Sequence, residues 1–259
     1  DGDSKVDSTL QNPRYIYPRS SSTRRYDVTL AVTDGANPPA KIVKKGFITV
    51  FGATANRKSA EILDYAFNEL RTQNVRNCAS TTMAPPFGRV NVTGWQADAG
   101  RPAYKGPEKG FGCLGGGSTP VEVDTNWKVD WRGSFTIMWW QRMAQAPPST
   151  SYFFGDDNFR CFTGGAAGNS LWLRDFGNAP DFKASYNVQG ATGWLHVAMV
   201  ADNVAGKATW YFNGKADPKV SAFTPGSLSY RAKNNLMVGT RKPGHSSPAT
   251  SSFSLDDFR

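Results

Sequence analysis

The sequence predicts an all-β protein built from two-sheet sandwich domains, and three observations carry that prediction. Short runs alternate apolar and polar residues with period two, and the apolar positions are often aromatic, as in Phe135, Ile137 and Trp139. Turn formers are abundant, with 26 Gly and 16 Pro in 259 residues, and they punctuate these runs. Glu occurs only at Glu61, Glu69, Glu108 and Glu122 while aromatic residues reach 13%. That composition excludes a helical bundle or coiled coil, and equally a disordered chain. No stretch approaches the ~18 consecutive apolar residues of a membrane span, so no membrane insertion is expected. No charged-then-apolar leader is seen, so any export signal is expected outside this chain. The net charge of +9 is spread over all segments, with clusters such as Arg24-Arg25 and Lys44-Lys45 but no basic helix or stripe. It reads as a solvated basic surface rather than a nucleic-acid site.

The first strands lie near the N-terminus. Tyr26–Thr33 places Tyr26, Val28, Leu30 and Val32 on one face. Asp34-Gly35-Ala36-Asn37-Pro38-Pro39 forms a turn, since Gly and Asn tolerate positive φ and Pro ends the pairing. Ala40–Val50 returns as the partner strand, and Gln11–Tyr17 is a short extended piece before both. These residues resemble the end of a polycystic-kidney-disease (PKD) domain, an immunoglobulin-like sandwich. The resemblance rests on Asp1-Gly2, Gln11-Asn12-Pro13 with Tyr15 at the family's histidine, the Tyr26–Asp34 strand and Ile48-Thr49-Val50. The family's first strands normally precede the Asp-Gly turn, so residues 1–51 are expected to be a partial sandwich.

Residues 52–88 read as a linker. Ile62, Leu63, Ala66, Phe67 and Leu70 fall at helical spacing, which predicts an amphipathic helix over Ser59–Gln73. Its polar face carries both signs of charge, so it is expected to pack on a neighbouring domain rather than on a membrane. Asn77–Gly88 is polar and contains Pro85-Pro86. Asn91-Val92-Thr93 is an N-glycosylation sequon, a short pattern that chance also produces.

From residue 89 to 259 the pattern is continuous β. Strands are expected at Gly133–Arg142, Ser170–Arg174, Trp194–Val200, Ala208–Phe212 and Leu236–Val238. Asn213-Gly214, Asp217-Pro218 and Pro225-Gly226 are the turns between them, and Asn213-Gly214 is a strong hairpin cue. This half of the chain resembles the laminin-G-like, concanavalin A-like jelly roll. The matching motifs run in order: Gly110–Gly116, Val121-Glu122-Val123, Gly133–Trp139, Gly193–Asp202, Tyr211–Gly214, Leu236–Gly239 and Leu255-Asp256-Asp257-Phe258-Arg259. The family continues its last strand beyond that Arg, so both ends are expected to be cut from a longer, multidomain polypeptide. The predicted fold class is therefore all-β: a partial immunoglobulin-like sandwich, a helical linker, then a concanavalin A-like (laminin-G-like) β-sandwich jelly roll.

The architecture includes glycoside hydrolases, which set two or three carboxylates at alternate positions of one strand. The nearest approach, Glu122-Val123-Asp124-Thr125-Asn126, ends in Asn, which cannot shuttle a proton. His196 sits in the strand where the family also carries His, and His245 lies in a Gly/Ser/Pro loop. No G-x-S-x-G elbow occurs, and Gly115-Gly116-Gly117 precedes a strand rather than a helix, which is a turn and not a phosphate loop. The chain is read as non-enzymatic.

Calcium is the candidate ion. Asp156-Asp157-Asn158 clusters on a loop and Asp256-Asp257 is the family's acidic pair, so Asp156, Asp157, Asp256 and Asp257 are the candidate ligands, with turn and cap carboxylates as the other reading. Trp127, Trp131, Trp140 and Trp172 are candidates for a glycan platform, against the alternative of core tryptophans; Trp140 should face away from Trp139. In an exported setting Cys113 is expected to pair with Cys161, leaving Cys78.

Together the two resemblances imply a secreted or cell-surface module for adhesion, glycan or protein binding, or assembly of an extracellular structure. Its partners would be a glycan, an extracellular protein, copies of itself or other domains of the same polypeptide. The alternative is the accessory carbohydrate-binding region of a secreted hydrolase whose catalytic domain lies outside this chain.

Overall fold

The computed structural model describes residues 5–11, 13, 15, 17, 24–50, 60–67, 73–90, 95–100, 110–115, 122–143, 150–174, 179–188, 193–242 and 253–259. The chain divides into two units, Asp1–Lys58 and Ser59–Arg259.

The first unit holds one antiparallel pair, β1 (Arg24–Val32) and β2 (Ala40–Val50). The turn is closed as its residues require: the Asp34 carboxylate accepts hydrogen bonds from the Ala36 and Asn37 N–H groups and from the Asn37 amide. Those bonds hold the exposed Asp34 carboxyl at a pKa of about 2. The pairing shifts between Tyr26 and Val28, where Gly46, at φ 58, donates its N–H to the Asp27 carboxylate. Tyr26 is buried, with the Tyr17 ring 4.9 Å away, while Leu30, Val32 and Ile42 of the same hairpin are exposed.

In the second unit the described strands are β3 (Asn74–Arg76), β4 (Phe87–Val90), β5 (Trp95–Gly100), β6 (Gly110–Gly115), β7 (Val123–Asp124), β8 (Asp130–Trp131), β9 (Phe135–Met143), β10 (Ser151–Gly155), β11 (Arg160–Thr163) and β12 (Trp172–Arg174). They continue with β13 (Phe182–Lys183), β14 (Leu195–Asp202), β15 (Lys207–Phe212), β16 (Lys215–Ala222), β17 (Tyr230–Arg231), β18 (Met237–Val238) and β19 (Phe253–Asp256). All pairs are antiparallel. One sheet runs β13-β12-β11-β10-β18-β7-β4-β3, the other β16-β15-β14-β9-β19-β6-β5, and β8 pairs with β17. The only regular helical turn among the described residues is Gly165–Ala167. The fold is the expected all-β sandwich.

The core is what the alternation required. Ile137, Trp139 and Met143 of β9 point inward, as do Leu195, Val197 and Met199 of β14 and Ala208, Trp210 and Phe212 of β15. Trp139 lies edge-on to Phe154 and Trp210, and its indole N–H donates to Gln141 Oε1 at 2.8 Å. Fully burying each large apolar side chain contributes roughly 1.5–3 kcal/mol. The β15–β16 hairpin turns at Asn213 and Gly214, both at positive φ, as a tight two-residue hairpin turn demands. The Asn213 side chain also accepts the His196 N–H.

Three expectations need correction. The helix over Ser59–Gln73 is absent from its described part, 60–67. Leu63, Asp64, Tyr65 and Phe67 are all buried, which no single helix face could achieve. The segment is extended: Tyr65 bridges to both Asn77 and Phe258, and the Asn77 side chain accepts the Asp64 N–H while donating to the carbonyls of Ile62 and Pro85. From Ser59 onward this stretch is part of the sandwich, with β3 and β4 at a sheet edge. Asp217-Pro218 is not a turn but lies inside β16. Finally, the Cys113–Cys161 bond is not formed. Cys161 is a free thiol, fully buried on β11, whereas β6, which contains Cys113, belongs to the opposite sheet.

Candidate functional site

Where β7 ends, the chain is forced into a turn that opens a cleft. Asn126 adopts φ 52, and its N–H donates to Asp124 Oδ1 at 2.7 Å. The next residues run alongside 232–236: the Thr125 hydroxyl donates to the Leu236 carbonyl, and the N–H groups of Leu236 and Ala232 donate to the carbonyls of Trp127 and Val129. This ladder holds Asn234 and Asn235 beside the end of β7.

The opposing wall is the β10–β11 turn. Asp156 is 1% exposed. Its Oδ1 accepts the N–H groups of Asn158 and Phe159, and its Oδ2 accepts the Tyr230 hydroxyl at 2.6 Å. Burial raises the Asp156 pKa, partly offset by these hydrogen bonds; burial and the neighbouring carboxylate push Tyr230 upward too. The turn leaves Asp157 at φ 81 with its side chain exposed, 3.6 Å from the Lys242 ammonium. The Asp157 N–H donates to the Arg241 carbonyl, tying the segment after β18 to the turn.

Between these walls lies a cleft of about 550 Å³, lined by Asp124, Asp157, Asn234 and Asn235 together with Lys128, Lys233 and Lys242. The Asn235 amide donates to Asp124 at 3.0 Å and the Asn234 amide to the Asp156 carbonyl at 3.1 Å. The lining therefore offers carboxylate and amide acceptors beside ammonium donors. Its polar character suits a hydroxyl-rich ligand better than an apolar one.

The four carboxylates expected to hold calcium fall in two places. Asp156 and Asp157 sit on the β10–β11 turn of one sheet, while Asp256 and Asp257 lie at the end of β19 in the other. Both Asp156 oxygens already accept hydrogen bonds, and Asp256 accepts the Asp257 N–H. Among the described residues no three acidic, His or Cys side chains gather as a metal site. The four therefore form two separate pairs rather than one cluster.

The tryptophans separate as well. Trp131 is no platform: it is 6% exposed, stacked on Phe135 at 4.5 Å and packed against Phe159. Trp127 is half-buried, packed against the core. Trp140 is half-buried on the face opposite Trp139, with the His196 ring 5.0 Å away. Trp172 is half-buried and carries the Lys183 ammonium 4.0 Å from its ring centre. Glu122 is buried at 5% exposure. The third position of its motif, Asn126, lies past the end of β7 in the left-handed turn.

Sequence reading missed Lys128, Lys233, Asn234, Asn235 and Lys242 as a group. The available signal was the polar run just before Leu236-Met237-Val238 and the basic pair just after it. Their meeting with the β7 end depends on the non-local β7–β18–β10 order.

A laminin G family model, described as the concanavalin A-like lectin/glucanases superfamily, matches residues 115–259. No curated protein matches the chain. Among solved structures, Trypanosoma rangeli sialidase is similar at 12% identity and TM-score 0.46, over 75% of this chain and 29% of the sialidase. The binding domain of botulinum neurotoxin serotype D aligns at 11% identity and TM-score 0.49, over 77% of this chain and 46% of that one. The heptameric SAP-like pentraxin of Limulus polyphemus aligns at 15% identity and TM-score 0.39, over 57% and 73%. The chain thus spans under a third of the sialidase's length.

Proposed function

The chain belongs to the concanavalin A-like lectin/glucanases superfamily, and from that premise we propose that Ser59–Arg259 is a non-catalytic domain that binds a glycan in the cleft between the β7 end and the β10–β11 turn. The observation that carries this reading is the polar lining: carboxylates at Asp124 and Asp157, amides at Asn234 and Asn235, and the three lysines. Sugar hydroxyls both donate and accept, so a site presenting both kinds of partner satisfies them on desolvation. The non-catalytic part rests on the carboxylates. Asp157 is paired with Lys242 and Asp124 is held by two amides. The Glu122–Asn126 stretch supplies no third acid.

We extend the proposal to the setting. Asp1–Lys58 is the closing part of a PKD-like sandwich, supported by the β1–β2 pairing and its Asp34 turn. The protein works outside the cell or at its surface, as a module of adhesion or assembly. Service as the accessory region of a secreted hydrolase is the same binding chemistry in another setting.

A glycan array probed with the full chain, followed by calorimetry on the best saccharide, tests the reading. A Lys128→Ala/Lys233→Ala variant should lose about tenfold in affinity, as for two polar contacts of ~0.7 kcal/mol each. Unchanged affinity, or no saccharide bound at all, would remove the cleft reading. Turnover of a β-glucan, abolished by Glu122→Gln, would replace the non-catalytic one.

A further inference from the structure

The tip of the β15–β16 hairpin carries the chain's single Asn-Gly step. Phe212 pairs with Lys215 across it, so Asn213 and Gly214 are the whole loop. Asn213 stands at φ 49 and Gly214 at φ 80. Positive φ at both central positions is a type I′ turn; the type II′ alternative would give Gly214 a negative φ. Both residues are exposed, and a Cβ placed on Gly214 would meet nothing within 4 Å, so water and base reach the peptide link between them.

Asn before Gly is labile because the glycine nitrogen, with no Cβ beside it, can close on the Asn side-chain carbon. The five-membered ring forms only when that nitrogen stands on the Cβ side of Asn213, at the ψ of about −120° found at the first position of a type II′ turn, whereas a type I′ turn holds ψ at about +30°. The φ of Asn213 suits both turns. A flip of the one peptide plane between Asn213 and Gly214 therefore separates the closed form from the reactive one. A non-glycine residue is disfavoured at the first position of a type II′ turn. Two further bonds hold Asn213 in place: its N–H donates to the His196 carbonyl and its Oδ1 accepts the His196 N–H, both at 2.9 Å. Two pairs, Tyr211–Ala216 and Phe212–Lys215, lie between the turn and Asp217, whose carboxylate is fixed to Ser185 and Tyr186. Because β16 is the edge strand of its sheet, this tip can open while the rest stays folded.

We propose that Asn213 is a deamidation site gated by its turn, closed while the hairpin holds the type I′ form and open when the tip frays. The Gly214 nitrogen then loses its proton to water or hydroxide and bonds to Asn213 Cγ, the Cγ–Nδ2 bond breaks, and ammonia leaves. Water opens the cyclic imide at Cγ to give aspartate, or at the main-chain carbonyl to give isoaspartate. Aspartate keeps the turn, since it tolerates the left-handed conformation and its carboxylate still accepts the His196 N–H. Isoaspartate carries the chain through Cγ, which adds a methylene to a two-residue loop and disturbs the Phe212–Lys215 register. Transient opening of one sheet edge is thereby made permanent. The inference stands on residues outside the cleft and does not depend on the cleft reading.

The test incubates the full 259-residue chain in mildly alkaline buffer with and without urea. Trypsin releases Ala208–Lys215, in which Asn213 carries the one side-chain amide, so mass spectrometry assigns any amide-to-acid conversion to it. The folded chain should convert about tenfold or more slowly than the unfolded one, a ratio that reports how seldom the tip opens. Amide hydrogen exchange at Lys215 of the wild-type chain should be slowed by a similar factor. Electron-transfer fragmentation should find isoaspartate beside aspartate in the product. Asp217→Ala frees the base of the tip and should raise the folded-state rate severalfold, with circular dichroism to show that it folds; the wild-type comparison stands without it. Equal rates in folded and unfolded chain, or an unchanged rate in folded Asp217→Ala, would overturn the gate. No acid product in either state, or aspartate without isoaspartate, would overturn the site.

Discussion

Tyr230 donates its hydroxyl hydrogen to the buried Asp156 carboxylate at 2.6 Å, joining β17 to the β10–β11 turn across 74 residues of chain. Removing that donor leaves a buried carboxylate with fewer partners. Tyr230→Phe is expected to cost about 1–3 kcal/mol and, in a domain of this size, to lower Tm by roughly 3–10 °C. Thermal unfolding followed by circular dichroism decides it; an unchanged Tm would show that the bond contributes nothing.

The same carboxylate should leave a mark on the pH dependence of stability. Burial raises the Asp156 pKa above its unfolded value, so the folded state holds the proton more tightly. Its contribution is therefore most favourable below the ordinary carboxylate range and declines as pH rises through the raised value. The difference in unfolding free energy between wild type and Asp156→Asn should shift toward the variant over that window and flatten toward neutrality. A difference that moves the other way would mean the hydrogen bonds outweigh burial.

Cys161 is fully buried in the core, and burial alone pushes its thiol well above the usual range. Thiolate is the reactive form, so native protein should resist iodoacetamide at Cys161 and become labelled only on unfolding. Peptide mapping by mass spectrometry reads this directly. Labelling at the denatured rate, or a Cys113–Cys161 disulfide in the non-reducing map, would contradict the structure.

Calcium is expected to leave the protein unchanged, because the four expected ligands lie in two sheets and Asp156 already accepts hydrogen bonds from Tyr230, Asn158 and Phe159. An ion that binds only the folded state raises Tm by mass action. Melting curves in millimolar calcium and in chelator should superimpose, and glycan affinity should match. A calcium-dependent rise would restore a metal site.

Strand alternation and turn chemistry made most of the sandwich legible. The runs at β9, β14 and β15 bury the alternate residues that period two indicated, and Asn213-Gly214 turns where expected. The segment around Tyr65 misled because its apolar residues bury on more than one side of an extended chain, which mimics helical spacing. Asp217-Pro218 misled for a related reason. Burial works against the Asp217 charge, yet its carboxylate accepts the Ser185 hydroxyl and the N–H groups of Lys219, Tyr186 and Ser185, which together lower its pKa. A turn-forming pair thereby became a buried anchor within a strand. The cleft was illegible because its walls come from chain segments about 30 to 110 residues apart, joined by strand order rather than by local pattern.

Gly155 is where stability and binding meet. It precedes Asp156 at the end of β10, and a methyl group there would stand 2.7 Å from the Phe159 carbonyl oxygen and 3.0 Å from the Arg241 Cα. Both neighbours are backbone, so neither can move aside as a flexible side chain would. A glycine inside a strand is the mark of such close approach. Gly155→Ala must therefore displace the β10–β11 turn at Phe159, the segment carrying Arg241 and Lys242, or both. The expected cost is about 1–3 kcal/mol from overpacking. Cleft binding should suffer too, because Lys242 lines the cleft. Lys233→Ala should weaken the cleft ligand at an unchanged melting temperature, so joint loss of affinity and stability in Gly155→Ala is the distinguishing outcome. Retention of affinity in a folded Gly155→Ala protein would show that the 239–242 segment does not position the cleft.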